Sequence, residues 1–162
     1  MLNGIGVFIM NFLIKALVTG LGAGYTPRGP GTVGSIVGVA LFWAVARLTP
    51  LNLLIFLAIF TLFSIWSASI AEKMFGEKDS SKIVIYEICG ILFTFIGHPF
   101  NWKIILVGFL LFRIFDIAKP FPIRTIDEKL GGGLGVVLDD ILAGIYANLS
   151  LTTLIYIGGR IL

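Results

Sequence analysis

The sequence predicts an all-α protein, a membrane-embedded bundle of about six short helices with an active site at its cytoplasmic face. Two observations support this fold class. Hydrophobic residues make up 57% of the 162 residues and charged residues 13%, and the mean hydropathy of +1.02 exceeds that of an ordinary soluble domain. The apolar stretches are also continuous, as in buried helices, rather than alternating as in the strands of a membrane barrel.

Six apolar stretches mark the predicted helices. They cover residues 4–18, 33–48, 51–70, 83–97, 102–115 and 134–158. Spanning a bilayer takes about 20 residues, so we expect the shorter first, fourth and fifth stretches to be partly interfacial or to cross where the bilayer thins. No linker or internal repeat interrupts the chain, which indicates a single membrane-embedded domain over residues 1–162. The N-terminus has neither the basic start nor the cleavage site of a signal peptide, so we expect it to be retained.

The basic residues predict how the bundle is oriented. If all six stretches cross, one side of the membrane receives only Arg47, Lys103 and Arg160. The other side receives Lys15, Arg28, Lys73, Lys78, Lys82, Arg113, Lys119, Arg124 and Lys129. Positively charged loops stay in the cytoplasm, so the second side is predicted to face it and both termini to lie outside. The net charge of +3 is then expected to attract anionic membrane lipids, and no nucleic-acid partner is predicted.

Four carboxylates lie at or near the cytoplasmic ends of three different predicted helices. They are Glu87, Asp116, Asp139 and Asp140. Mg²⁺ prefers oxygen ligands and is usually held by few carboxylates together with water and phosphate oxygens. We therefore predict a Mg²⁺ site here, with Mn²⁺ as a substitute ion. The alternative for Asp139 and Asp140 alone is that they cap or charge-match the start of a helix.

Basic residues interleave with these acids, namely Arg113, Lys119 and Arg124, with Arg28 in an earlier loop. Arginine offers a planar fork for phosphate oxygens and lysine a point charge, so this mixture suits a phosphate monoester on a lipid headgroup. For Arg28 and Lys129, ordinary anchoring on the cytoplasmic side is an equal alternative.

A glycine-rich loop, GPGTVGS, places Gly31, Thr32 and Ser35 just before a predicted helix. Free backbone N–H groups and the helix dipole attract anions at such a position. The pattern is weak when taken alone, because Gly-Pro runs also mark turns and small residues let membrane helices approach closely. The same holds for the later run GGGLG.

Several phosphatase mechanisms do not fit the residues. A cysteine phosphatase needs an arginine six residues after its nucleophile, but that position after Cys89 is Phe95. The single histidine, His98, falls in a loop on the opposite side, and the residues from Asp116 to Lys119 do not form an aspartyl-phosphate DxDx motif. A metal ion with a carboxylate-assisted water is the simplest remaining mechanism, and direct attack by a carboxylate stays open.

Two long stretches resemble the bacterial phosphatidylglycerophosphatase A family. They read GYTPRGPGTVGS and FRIFDIAKPFPIRTIDEKLGGGLGVVLDDILAG, against family patterns close to SGxxPxxPGTxGS and FRxFDxxKPxPIRxxDxxxxGGxGxxxDDxxAG. The resemblance extends from Gly20 to Gly144. It implies a multi-pass, Mg²⁺-dependent enzyme of the bacterial inner membrane that removes the terminal phosphate of phosphatidylglycerophosphate to give phosphatidylglycerol.

The resemblance also implies which residues form the site. The matching positions are Gly31, Thr32, Ser35, Glu87, Arg113, Asp116, Lys119, Pro120, Arg124, Asp127, Asp139 and Asp140. We assign metal binding to Glu87, Asp116, Asp139 and Asp140. We assign phosphate binding to Arg113, Lys119, Arg124, Gly31, Thr32 and Ser35. Catalysis is assigned to Asp116, Lys119 and Asp127, with Asp127 as the base or as the residue that positions water.

One position departs from the family pattern. The family usually has Asp followed by Glu in its second motif, whereas this sequence reads IVIYEICG, with Tyr86 before Glu87. A phenol with a pKa near 10 is neutral at pH 7 and is a poor Mg²⁺ ligand. Three interpretations of this departure stay open: a natural variant whose site has one carboxylate fewer, a less active relative, or a sequence that was altered on purpose.

Two other classes of protein remain as alternatives. A phospholipid synthase of the CDP-alcohol type also clusters aspartates at the membrane face, but its DGxxAR motif is absent from the sequence. A transporter or a structural membrane subunit would place its charges near the bilayer midplane along broken helices, whereas here they gather at one face. The oligomeric state is left open.

Overall fold

The structure, a computed structural model, describes residues 4–77, 80–130 and 132–158. Within these ranges the protein is all-helical, which confirms the predicted all-α class. The helices are α1 (Gly4–Val18), α2 (Pro30–Val45), α3 (Pro50–Phe75), α4 (Ile85–Thr94), α5 (Trp102–Ala118), α6 (Ile123–Lys129) and α7 (Gly133–Gly158), with a 3-10 turn at Ala23–Tyr25. Lys78 and Arg160 from the orientation argument, and Gly131 of the second glycine run, lie outside the described residues.

Local capping sets helix boundaries that apolarity alone does not reveal. α2 begins three residues earlier than predicted because Pro30 fits the first turn, where no N–H partner is needed. α3 begins at Pro50, and the Thr49 side chain accepts a hydrogen bond from the backbone N–H of Asn52 at 3.3 Å. It ends before Gly76, whose φ of +70° is the left-handed conformation common after helices.

One helix was not predicted. α6 covers seven residues, IRTIDEK, in the middle of the charged block. Only Ile123 among them is buried, and it packs into the core beneath the helix. A single buried residue leaves no apolar periodicity to recognise in the sequence.

The helices alternate in direction, so that α2, α4 and α7 begin, and α1, α3 and α5 end, at what we call the polar end of the bundle. The backbone N–H of Val84, before α4, donates to the carbonyl of Val18 at the end of α1 at 2.8 Å. At the end of α3, Ser69 Oγ would lie 2.8 Å from a Cβ placed on Gly133, the first residue of α7. The charged loops therefore meet at one end of the bundle.

α4 is the central helix, and eight of its ten residues are buried. It crosses α7 so closely that a Cβ on Gly144 would overlap the carbonyl oxygen of Gly90, which small residues alone permit. Beyond its C-terminal end, the Asn148 amide on α7 donates to the carbonyls of Thr94 and Ile96, each at 2.9 Å. These contacts join the C-terminal half of α4 and the turn after it to α7.

The outer surface of the bundle is unusually apolar. α3 and α7, with 26 residues each, are long and apolar enough to cross a membrane, at about 39 Å from the helical rise. Only 22% and 28% of their most apolar windows are buried, unlike the core helix of a soluble protein. Large side chains such as Leu62 on α3 and Ile117 on α5 are 69% and 73% exposed. Of the six apolar stretches, two therefore correspond to helices that are long enough to cross a membrane by themselves, counted among the described residues.

Candidate active site

A polar cavity of about 160 Å³ opens at the polar end of the bundle. Its lining residues are Ser80, Ser81, Ile83, Tyr86, Glu87, Asp116, Lys119, Val136, Asp139 and Asp140. Five of these, on or beside three different helices, are among the site residues predicted from the sequence. The helical directions explain the convergence, because the last turn of α5, the first turn of α4 and the first two turns of α7 share this end.

Three carboxylates form the centre of the cavity. One oxygen each from Asp116, Asp139 and Asp140 lie within 4.8 Å of one another. Asp139 and Asp140 are only 1% and 3% exposed, and burying such charges is costly unless they are paired or bind a cation. Asp139 Oδ1 is buried without a hydrogen-bond partner in the described part of the chain. The oxygen-rich donor set and this unsatisfied atom fit a hard divalent cation.

Glu87 lies beside this trio rather than within it. It lines the same cavity from α4, at the side where α2 begins. A Cβ on Gly31 would overlap the Glu87 carboxylate and would lie 3.3 Å from Arg113 Nη1. The structure thus brings three of the four predicted metal ligands together and places the fourth at the edge of the group.

Lys119 connects the ends of two helices across the cavity. Its backbone adopts a left-handed conformation, φ +43°, directly after α5. Its Nζ donates to Asp139 Oδ2 at 2.5 Å and to Asp127 Oδ2 at 2.8 Å. Partial burial by itself would lower the pKa of Lys119, but the hydrogen bonds and charges of Asp127 and Asp139 outweigh it and raise the pKa above its ordinary value. Lys119 therefore remains a cation in the cavity.

Arg113 provides the second cation. Its Nη1 donates to Asp116 Oδ2 one turn further along α5, and its Nε is buried without a partner in the described ranges. Arg113 does not itself line the cavity; its guanidinium lies between Asp116, which does, and Gly31 at the start of α2.

The first glycine-rich loop contributes mainly backbone. Gly31 lies against Glu87 and Arg113 as described, and Thr32 is half-buried in the first turn of α2. Ser35 is fully buried, and its hydroxyl donates to the carbonyl of Gly31 at 2.8 Å. The structure therefore places the Ser35 hydroxyl in a bond within α2 and away from the cavity.

α6 holds the two remaining predicted site residues in different environments. Asp127 binds Lys119 and is half-buried. Arg124 pairs instead with Glu128 at 3.0 Å, and both side chains are well exposed. Arg124 is therefore not brought into the cavity with the others.

Five of the ten lining residues were not assigned to the site from the sequence, namely the apolar Ile83 and Val136 and the polar Ser80, Ser81 and Tyr86. Tyr86 is buried, 2% exposed, and occupies part of the wall beside Glu87. Ser80 and Ser81 come from the loop before α4, and the Ser80 hydroxyl donates to Glu77 Oε2 at 2.9 Å. The one sequence feature that could have indicated a role for these serines is their position in a polar loop on the predicted cytoplasmic side.

His98 lies at the opposite end of the bundle, as the sequence predicts. Its Nε2 shares a hydrogen bond with Thr152 Oγ1 at 3.2 Å. Thr152 is 12 residues beyond Asp140 on α7, about 18 Å along the helix. A histidine-based mechanism in the cavity therefore has no support among the described residues.

Comparison with known proteins points to one family. The sequence profile of phosphatidylglycerophosphatase A matches residues 16–155. A phosphatidylglycerophosphatase A of Haemophilus influenzae is 41% identical over 138 residues, covering 83% of each chain. The Escherichia coli protein of the same name is 34% identical over 131 residues, covering 80% of this chain and 76% of the relative.

A third relative has a different name. A protein of Bacteroides thetaiotaomicron, provisionally named phosphatidylinositol-3-phosphatase, is 37% identical over 146 residues, covering 85% of this chain and 90% of the relative. No solved structure shows a significant match to the chain. All three relatives carry the name of a phosphatase that acts on a phospholipid.

Proposed function

The chain belongs to the phosphatidylglycerophosphatase A family of phosphatases, and from this premise we propose that it hydrolyses phosphatidylglycerophosphate to phosphatidylglycerol and inorganic phosphate. The observation that carries the proposal is the convergence of Asp116, Asp139, Asp140 and Lys119 on one cavity. Membership of the family favours a phosphatase over the synthase and the transporter considered from the sequence.

Recognition of the phosphate would depend on the two cations and on helix ends. Arg113 and Lys119 offer a planar fork and a point charge to the phosphate oxygens. Without substrate, each is paired with a carboxylate of the same cavity. The N-terminal ends of α2, α4 and α7 add partial positive charge at the same place.

We propose that the same cavity is a Mg²⁺ site, with Mn²⁺ as a substitute. Asp116, Asp139 and Asp140 would hold the ion, and Glu87 would join them from α4. When bound, Mg²⁺ would supply positive charge to the phosphoryl oxygens.

The reaction replaces the bond between phosphorus and the glycerol oxygen by a bond to the oxygen of a water molecule. Lys119 would steady the phosphoryl group, and Asp127 would hold Lys119 through Oδ2. Asp127 Oδ1 would then position the water and accept its proton, and the leaving glycerol oxygen would take up a proton to become the hydroxyl of the product. Arg113 would offset the charge that develops on the phosphoryl oxygens.

We propose that the protein is a multi-pass protein of the bacterial inner membrane, with the cavity facing the cytoplasm. The exposed apolar surface of α3 and α7 supports insertion. The orientation follows from the distribution of Lys and Arg. Two variants test it in oriented vesicles: a maleimide that cannot cross membranes should label Lys129→Cys from the cytoplasmic side and Lys103→Cys from the outside. The reverse pattern would overturn the orientation.

The activity is tested with the purified protein in detergent micelles containing phosphatidylglycerophosphate. We expect release of inorganic phosphate that stops with EDTA and returns with Mg²⁺ or Mn²⁺. Parallel reactions contain phosphatidylinositol 3-phosphate, because one relative is named for that lipid. Preference for that lipid would replace the proposed substrate, and dependence on CMP would indicate the synthase.

A further inference from the structure

α2 and α5 run antiparallel and meet at both ends but separate between them. At the polar end, a Cβ on Gly31 of α2 would lie 3.3 Å from Arg113 Nη1 of α5. At the other end, the rings of Phe42 and Phe100 lie 6.0 Å apart, centroid to centroid, where Phe100 precedes α5. The helices therefore enclose a groove with two defined ends.

The groove is large and almost purely apolar. Its volume is about 440 Å³, within the range of about 300–1,000 Å³ typical of ligand sites. Ile36 and Val39 form one wall, and Trp102, Leu106 and Phe109 form the other. None of these side chains carries a charge, so the groove suits a hydrocarbon and no polar ligand.

The groove lies one to two helical turns from Arg113 and Gly31 at the polar end, although it shares no lining residue with the polar cavity. Phe109 is four residues before Arg113 on α5, which is one turn, or about 6 Å, along the same helix face. Ile36 is five residues after Gly31 on α2, about 7.5 Å along the axis. A molecule with its phosphate at Arg113 could therefore extend an attached chain into the groove without leaving the protein surface.

We propose that this groove holds one acyl chain of the lipid whose phosphate monoester enters the cavity, an inference that rests on the proposed function. The occupant is a substrate chain and not a structural lipid, because Phe109 at the near end of the groove lies one turn from Arg113 of the proposed phosphate site, and Phe100 lines the far end. It defines the substrate class as phosphate monoesters with a long chain attached.

The groove positions the substrate and adds little to affinity in a bilayer. Lipid tails are as apolar as these side chains, so transfer of a chain from the bilayer into the groove gains little free energy. A chain held along α2 and α5 instead fixes the depth and direction from which the headgroup enters the cavity. Loss of the groove should therefore reduce kcat/KM for long-chain substrates specifically.

The kinetic test fills the groove. Ile36 is 55% exposed, so Ile36→Trp adds bulk without displacing the core. The matched control is Ile59→Trp on α3, where the residue is 63% exposed and lies outside the groove. Each variant is assayed in micelles with dioleoyl phosphatidylglycerophosphate and with the same headgroup lacking both acyl chains.

We expect Ile36→Trp to lower kcat/KM for the dioleoyl lipid about tenfold more than for the chainless headgroup, and Ile59→Trp to leave the ratio unchanged. An equal change for both substrates, or no change, would overturn the groove proposal. Absence of phosphate release by the wild-type protein from every lipid monoester would instead contradict the proposed function.

A second measurement does not depend on turnover. Phosphatidic acid with a diazirine near the end of one acyl chain is photolysed with the wild-type protein, and adducts are mapped by mass spectrometry. We expect adducts between Phe100 and Phe109, fewer of them in Ile36→Trp, and no loss in Ile59→Trp. Adducts spread evenly over α3 and α7, or unaffected by Ile36→Trp, would refute the proposal.

Discussion

Lys119 Nζ lies 2.5 Å from Asp139 Oδ2, a contact that joins the end of α5 to the second turn of α7. Asp139 is 1% exposed, so this lysine compensates a charge that water does not reach. The same Nζ also binds Asp127 on α6. One side chain therefore holds three helices in register around the cavity.

Lys119→Met should lower phosphate release by about a hundredfold or more, because it removes a cation from the phosphate site. It should also lower Tm, since it leaves the buried Asp139 without its partner. Lys129→Met, at the exposed end of α6, is the control and should change neither quantity. A Lys119→Met protein with full activity would remove Lys119 from the mechanism.

The pairs of Lys119 should persist at alkaline pH. Because the folded-state pKa is raised, their contribution to stability is complete below the unfolded-state pKa of about 10.4 and is lost only as pH rises through the higher folded-state value. The difference in Tm between the wild type and Lys119→Met should therefore be constant from about pH 8 to pH 10. A difference that disappears below pH 10 would contradict the raised pKa.

Asp139→Asn and Asp140→Asn should each reduce turnover by at least about a hundredfold while the protein still folds and inserts, because each removes a ligand or a positioned charge from the cavity. Turnover is measured as phosphate release, and folding by circular dichroism. Glu128→Gln, which breaks only the exposed pair with Arg124, is the matched control. Activity like that of the wild type in both aspartate variants would overturn the metal assignment.

Divalent cations should stabilise the wild-type protein. Binding to the folded state alone contributes about 2.7 kcal/mol at a ligand concentration one hundred times Kd. We expect Mg²⁺ or Mn²⁺ to raise Tm, EDTA to reverse the effect, and Asp139→Asn to abolish it, while Glu128→Gln retains it. Equal shifts in Asp139→Asn and the wild type would place the ion elsewhere.

Tyr86→Asp should strengthen Mn²⁺ binding and lower Tm. The change adds a carboxylate to the cavity wall but removes a buried ring, and truncating a large buried side chain costs about 3–5 kcal/mol. Tyr86→Phe keeps the volume and should leave Mn²⁺ affinity unchanged. If Tyr86→Asp alters neither Mn²⁺ affinity nor phosphate release, the position is dispensable for the site.

The sequence predicts the parts of this molecule that depend on composition. Long apolar stretches identify six of the seven described α-helices, and the alternation of their directions brings Glu87, Asp116 and Asp139 to the same end. Both predictions are correct because the apolarity of a stretch and the direction of its helix depend on many residues. An error of a few positions at either end of a stretch changes neither.

Details that depend on single contacts were not predictable. Ser35 resembles a phosphate-binding residue in the sequence, but a serine inside a helix can donate to the carbonyl four residues earlier, as it does here. Arg124 has Glu128 one turn away on α6 and pairs with it on the surface. Lys119 adopts a left-handed backbone conformation, and its amine contacts Asp127 and Asp139. This conformation is usual for glycine, so a lysine gives no sign of it in the sequence.

The short length of α4 has a consequence for the other half of the bundle. The helix ends at Thr94 in a short turn, in which the backbone N–H groups of Phe95 and Ile96 donate to the carbonyls of Leu92 and Phe93. The Asn148 amide donates hydrogen bonds to the carbonyls of Thr94 and Ile96, as water would at an exposed helix end. These two bonds fasten the far end of α4 to α7, so the helix that carries Glu87 is anchored at the end away from the cavity as well as at its close crossing beside Gly90.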